Sequence, residues 1–173
     1  MKPFDKVFLI SIHALVQPVH ESTWPSEFQF RQGAEQLMQN LALFRCVLIW
    51  DWSGSSCSEQ EQLDLCHKLM VRFLQIVQAH VAVNRGADSI CTWFDEGVDL
   101  WRSIPNYPHY EDVSLETPYS FPNTLLLYSA RDSLGSSPAD TVLIGTVEKD
   151  RRAAKQEQIE FQWAPTKILP IIE

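Results

Sequence analysis

Val7-Phe8-Leu9-Ile10-Ser11-Ile12-His13-Ala14-Leu15-Val16 is the stretch on which the fold turns. Val7–Ile12 is bulky and apolar on both faces, and the chain then runs straight into a turn. A short run of this kind fits a central strand of a parallel sheet covered by helices on both sides. Lys2 and Lys6 precede it, which superficially resembles a secretory leader. The run is only ten residues long, His13 interrupts it, and no small-residue cleavage site follows, so a leader is not expected. It is also too short to cross a bilayer as a helix.

Working outward, Cys46-Val47-Leu48-Ile49-Trp50 is a second short apolar run, bounded by Ser53-Gly54-Ser55-Ser56, and reads as strand then loop. Between the two runs, Gln17–Phe30 reads as a loop containing Pro18 and Pro25. A helix is expected over Arg31–Leu43, where Ala34, Leu37, Met38 and Leu41 recur on one face. Ser58-Glu59-Gln60-Glu61 has the form of a capping box. It opens a long predicted helix, about Glu59 to Val83, with Leu63, Cys66, Leu69, Met70, Phe73, Leu74, Val77 and Val81 as its core stripe. Asn84-Arg85-Gly86 ends it, and Ala87–Cys91 reads as a third strand.

Thr92–Pro122 has no clear periodicity. It is rich in aromatics and prolines, which predicts a packed functional loop or insertion rather than disorder. Asn123–Leu134 reads as a helix, Ser136–Asp140 as a turn and Thr141–Gly145 as a fourth strand. Glu148–Gln158 is a further predicted helix, and Glu160–Ala164 a last short strand. The alternation of strands and helices predicts one α/β domain over residues 1–173: a three-layer α/β/α Rossmann-like fold with a mostly parallel central sheet.

Composition narrows the function classes. The 173 residues include 45% apolar and 21% charged side chains, ordinary for a globular protein. The formal net charge is −8 and no Lys/Arg cluster exists, which speaks against nucleic acid as a partner. Lys149–Lys155 is expected to be a solvated helix face. The four cysteines, Cys46, Cys57, Cys66 and Cys91, form no C-x-x-C pair; they are expected to be reduced thiols in a cytoplasmic protein, with Cys46 in a buried strand.

In order and spacing, Val7–Trp163 resembles the haloacid-dehalogenase (HAD) superfamily, nearest the histidinol-phosphate, heptose-bisphosphate and polynucleotide 3′-phosphatase branch. The resemblance rests on three pieces. Pro122 through Gly145 and on to Glu148-Lys149-Asp150-Arg151-Arg152-Ala153-Ala154 is similar to the family's helix, turn, strand and acidic loop. Arg31-Gln32-Gly33-Ala34-Glu35 through Trp50-Asp51-Trp52-Ser53-Gly54 is similar to the approach to its Thr-Asn-Gln-Ser-Gly loop. The opening strand stands where the family writes Asp-x-Asp-Gly-Thr-Leu.

The resemblance implies a chemistry this chain does not carry. An aspartate nucleophile attacks phosphorus, a second aspartate serves as acid and base, a hydroxyl and a lysine hold the phosphoryl oxygens, and Mg²⁺ offsets charge. Here the nucleophile position falls on Ile10 and the acid/base position on Ile12, followed by His13-Ala14. The phosphate-holding hydroxyl falls on Trp50, the lysine near Tyr119 or Ser120, and the first metal carboxylate on Thr146. Only Asp150 and Ser53-Gly54 match. Sliding the alignment does not help, because no Asp occurs between Asp5 and Asp51. A structural zinc, as some relatives hold, is also excluded, since no cysteine follows Cys91.

The expectation is therefore a pseudophosphatase without cofactor that acts as a protein-binding or scaffold subunit, with no nucleic acid and no membrane partner. Trp50, Asp51, Trp52, Trp93, Trp101, Tyr107, Tyr110 and Asp150 are its candidate partner or ligand surface; these aromatics either fill the vacated pocket or anchor a partner. Two alternatives stay open. One is a phosphatase of altered mechanism using Asp51, Asp150 and His13, with Glu148, Asp51 and Asp150 holding a cation weakly. The other is a sensor of a phosphate-bearing ligand.

Overall fold

The computed structural model describes residues 6–51, 79–84, 91–95, 100–104 and 125–170, together with helical residues Glu61, Asp64, Leu65, Lys68 and Leu69. Strand β1 (Val7–Ser11) sits in a seven-stranded sheet between β4 (Arg45–Asp51) and β8 (Thr141–Gly145), parallel to both. Beyond β4 comes β5 (Ala79–Asn84), also parallel, and then an antiparallel extension of β6 (Cys91–Asp95) and β7 (Leu100–Ile104). On the other side β9 (Glu160–Trp163) pairs parallel to β8 and forms the edge. The sheet is mostly parallel, as the strand and helix alternation predicts.

The two-residue period of the strands sorts their side chains onto two faces. Phe8, Ile10, Leu48, Val142 and Ile144 face one cluster, covered by α1 (Ala34–Asn40) through Ala34, Leu37 and Met38, and by Leu65 and Leu69. Val7, Leu9, Val47, Ile49 and Leu143 face the other. That cluster is closed by α2 (Leu125–Ser133) through Leu127 and Ala130, and by α3 (Glu148–Glu157) through Ala153 and Ala154. All five residues of β1 are buried. At about 1.5–3 kcal/mol for each fully buried large aliphatic side chain, β1 alone ties both faces together strongly. Cys46, on the α1 side, is buried, and burial pushes its thiol up to about 12. Among the described residues no helix is long and apolar enough to cross a membrane.

Four expectations need correction. The predicted helix to Val83 stops short, because Ala79–Asn84 is β5. Val77 and Val81 continue the helical stripe, but Val81 and Val83 alternate equally well as a strand, and the vacant side of β4 selects the strand. Of the third strand expected over Ala87–Cys91, only Cys91 is described, and it begins β6 rather than ending a strand; residues 87–90 lie outside the described residues. The segment from Thr92 onward is not wholly irregular: Cys91–Asp95 and Leu100–Ile104 pair as antiparallel strands, suited by Thr92, Trp93 and Phe94. Gln17–Phe30 is not simply a loop, because β2 (Val16–Pro18) and β3 (Phe28–Phe30) pair across it. Ser58 lies outside the described residues; Glu61, its expected capping partner, accepts a hydrogen bond from the Ser26 hydroxyl at 3.0 Å. The basic segment behaves as expected: in α3, Arg151, Arg152 and Lys155 are exposed while Ala153 and Ala154 are buried.

Candidate functional site

Ligands of open α/β sheets bind at the carboxyl ends of the parallel strands. Three strand ends meet there. β1 passes from Ser11 into a 3₁₀ turn, Ile12–Ala14, closed by Leu15 N–H donating to Ile12 O at 2.9 Å. The chain then leaves as β2, returns as β3, and is pinned by Arg31 N–H donating to Leu15 O at 2.8 Å. Ile10, Ile12 and Ala14 are each 0% exposed and belong to the α1-side cluster. The turn therefore ends in hydrocarbon. His13 is its exposed member, with its ring 5.7 Å from that of Trp24.

β4 ends one step further out. Ser11 pairs with Ile49, so the backbone of Trp50 and Asp51 extends past the end of β1, beside Val83 and Asn84 of β5. β8 ends at Gly145, and here polarity survives. Asp150 is 4% exposed, and its Oδ2 accepts from the Thr146 N–H at 2.8 Å and the Val147 N–H at 3.3 Å. Val147 precedes α3 but has no polar side-chain atom, so Asp150 caps the helix by reaching back from its first turn. A carboxylate there also suits the positive end of the helix dipole. Gly145 makes the arrangement possible. A Cβ on it would lie 2.6 Å from Asp150 Cβ, 2.7 Å from Asp150 Oδ2 and 2.8 Å from Phe161 Cε2.

The segment after β9 crosses to the β1 turn. Ala164 N–H donates to Gly145 O at 2.9 Å, and the Thr166 hydroxyl donates to Ala14 O at 2.7 Å. Gln32 and Lys167 exchange backbone hydrogen bonds. The buried Gln17 amide holds Leu169 at both ends, with Nε2 donating to Leu169 O at 2.8 Å and Oε1 accepting from Leu169 N–H at 2.7 Å. Sequence reasoning misses Gln17 and Thr166, because their partners lie about 150 residues away and leave no local trace. Gly145 was detectable: a glycine closing an apolar strand just before an acidic helix start marks a close approach.

The structure thus brings Ile10, Ile12, Thr146 and Asp150 to one sheet edge, beside the backbone of Trp50 and Asp51. It does not bring Trp93 and Trp101 there, because β6 and β7 are the third and fourth neighbours of β1 along the sheet. Trp52, Tyr107, Tyr110 and Tyr119 lie outside the described residues. A magnesium site does not fit the described side chains. Ile10 and Ile12 offer no oxygen, and Oδ2 of Asp150 is taken up by two backbone N–H groups. Among the described residues no three His, Cys, Asp or Glu side chains converge.

No protein-family model matches the sequence, and no curated protein matches it. Among solved structures the chain is similar to the D,D-heptose 1,7-bisphosphate phosphatase of B. bronchiseptica complexed with magnesium and phosphate. The TM-score is 0.61 at 16% identity, over 90% of this chain and 78% of that one. Both the strand order around β1 and this likeness lead to one conclusion: the chain has the α/β fold of that phosphatase, with isoleucines buried at the end of its central strand.

Proposed function

We propose that this chain is a pseudophosphatase, a HAD-like domain that has lost phosphoryl transfer and serves as a protein-binding or scaffold subunit. The observation that carries the reading is the complete burial of Ile10 and Ile12 at the end of β1. Phosphoryl transfer through a covalent intermediate needs a nucleophile with a lone pair at hydrogen-bond distance from an acid or base. Ile10 and Ile12 supply neither, and the space around them is filled by the α1-side cluster. The nearby acid, Asp150, is engaged in capping α3.

The binding half of the reading is supported by an exposed aromatic at the same end of the sheet. Trp163 is 54% exposed at the end of edge strand β9, held edge-to-face on Phe161 with ring centroids 4.9 Å apart. Trp is among the residues most enriched at interface hot spots. The test combines two measurements. With an aryl phosphate and Mg²⁺, repurified protein is expected to give no turnover above buffer; turnover that survives repurification and is lost in Asp150→Asn would sink the proposal. In affinity capture from the native cell, a co-purifying protein is expected, its recovery reduced by Trp163→Ala, Trp52→Ala or Trp101→Ala. Equal recovery with all three variants removes the aromatic surface from the proposal.

A further inference from the structure

A cleft of about 400 Å³ opens beside the start of α1, lined by Phe30, Arg31, Gly33, Ala34, Glu35, Gln36 and Gln39. Its size is that of small-ligand sites, which run from roughly 300 to 1,000 Å³. Arg31 is its cation. The guanidinium is partly buried, and burial lowers its pKa below the ordinary arginine value. Arg31 makes no ion pair and no side-chain hydrogen bond with a described residue, and its Nε is buried without a partner. A desolvated charge left without compensation is costly, and native structures rarely keep one without a reason. Arg131 is more deeply buried and its Nε is likewise without a partner, but its terminal nitrogens are compensated. Arg131 pairs with Glu157 at 3.5 Å, donates to Ser136 O at 2.9 Å and lies over the Tyr128 ring.

We propose that this cleft binds a small metabolite through a carboxylate or phosphate group set against Arg31. Charge-assisted hydrogen bonds from a guanidinium to such an oxyanion are among the strongest in proteins, and stronger where water is partly excluded. The rest of the wall sets the ligand's other features. Glu35 disfavours a second negative charge and favours an ammonium or hydroxyl close to the oxyanion. Gln36 and Gln39 each donate from Nε2 within the helix, to Asn40 Oδ1 and Glu35 Oε1, which leaves a carbonyl oxygen and a second N–H on each amide to face a ligand. Phe30 offers an apolar side to a short carbon skeleton. The inference stands apart from the pseudophosphatase reading, because none of the cleft residues is a degenerate catalytic position.

The test titrates the whole chain with inorganic phosphate in one arm and glycine, a carboxylate beside an ammonium, in the other. Ionic strength is held with choline chloride, and the thermal midpoint is followed. A saturable upward shift in at least one arm is expected. Arg31→Gln, checked for native circular dichroism, is expected to weaken that binding at least ~10-fold. If Arg31→Gln fails to fold, Gln39→Glu serves instead: it adds an acid to the exposed cleft wall and must weaken binding of the anion. No saturable shift in either arm, or one undiminished in the folded variant, overturns the proposal and leaves solvent as the occupant.

Discussion

The carboxyl ends of β1 and β8 lie side by side, yet they have been resolved in opposite ways. At β1 the strand end and the turn after it carry Ile10 and Ile12, fully buried and continuous with the core. At β8 the acid survives as Asp150, but two backbone N–H groups hold its oxygen and it starts a helix. The difference shows two physical ways of finishing neighbouring strand ends. One end is sealed by apolar packing, whereas the other keeps a buried acid because that acid caps a helix.

The largest effect is expected at the sealed end. Ile10→Asp places a carboxylate among Leu48, Ile144 and the α1 residues without a partner, and should cost about 3–5 kcal/mol in urea unfolding. The variant should also show no turnover of phosphate esters. A loss below 1 kcal/mol, or gain of turnover, would show that the β1 end is an open site rather than core. Next comes Gly145→Ala, which forces a Cβ into Asp150 and Phe161 and should cost about 1–3 kcal/mol by the same measurement. Asp150→Ala should follow at about 1 kcal/mol, through loss of the cap, with earlier exchange of the Thr146 and Val147 amides. A larger loss there, or one that depends on added magnesium, would mean that the acid does more than cap.

The smallest expected effect is a null. Cys46 packs on the same side as Ile10, and burial raises its thiol to about 12 from an ordinary 9.0. Native protein treated with iodoacetamide at pH 8 should carry no label on Cys46 by peptide mapping, while unfolded protein is labelled fully. The linkage has a definite sign. The folded thiol ionises later than the unfolded one, so its contribution is fully present below pH 9.0 and is lost as pH rises through about 12. Labelling at pH 8 would mean that the face sealed around β1 opens readily.

The interior strands were legible because they are apolar on both faces. The Val7–Ile12, Cys46–Trp50 and Thr141–Gly145 runs form β1, β4 and β8, and Glu148–Gln158 forms α3 to within one residue. Strands that owe their state to a neighbour were not. β5 carries valines that suit a helix stripe or a strand, and only the open side of β4 decides. β2 and β3 have three residues each, too few for a period to show. At the site, the apolar character of Ile10 and Ile12, and their place at the end of a buried strand, could be read directly from the residues. The capping role of Asp150 could not, because it depends on backbone N–H groups brought into reach by the bend after Gly145. Arg31 reads as the first residue of a helix; in the structure it precedes α1 and lines a cleft.

The hold of Gln17 on Leu169 has a consequence for how the protein is made. The two residues are 152 positions apart. At roughly 5–20 residues per second of synthesis, Gln17 is added to the chain roughly 8–30 s before Leu169. Over that interval an amide that is buried in the finished molecule must be solvated. The turn after β1 is thus made well before the segment that locks it.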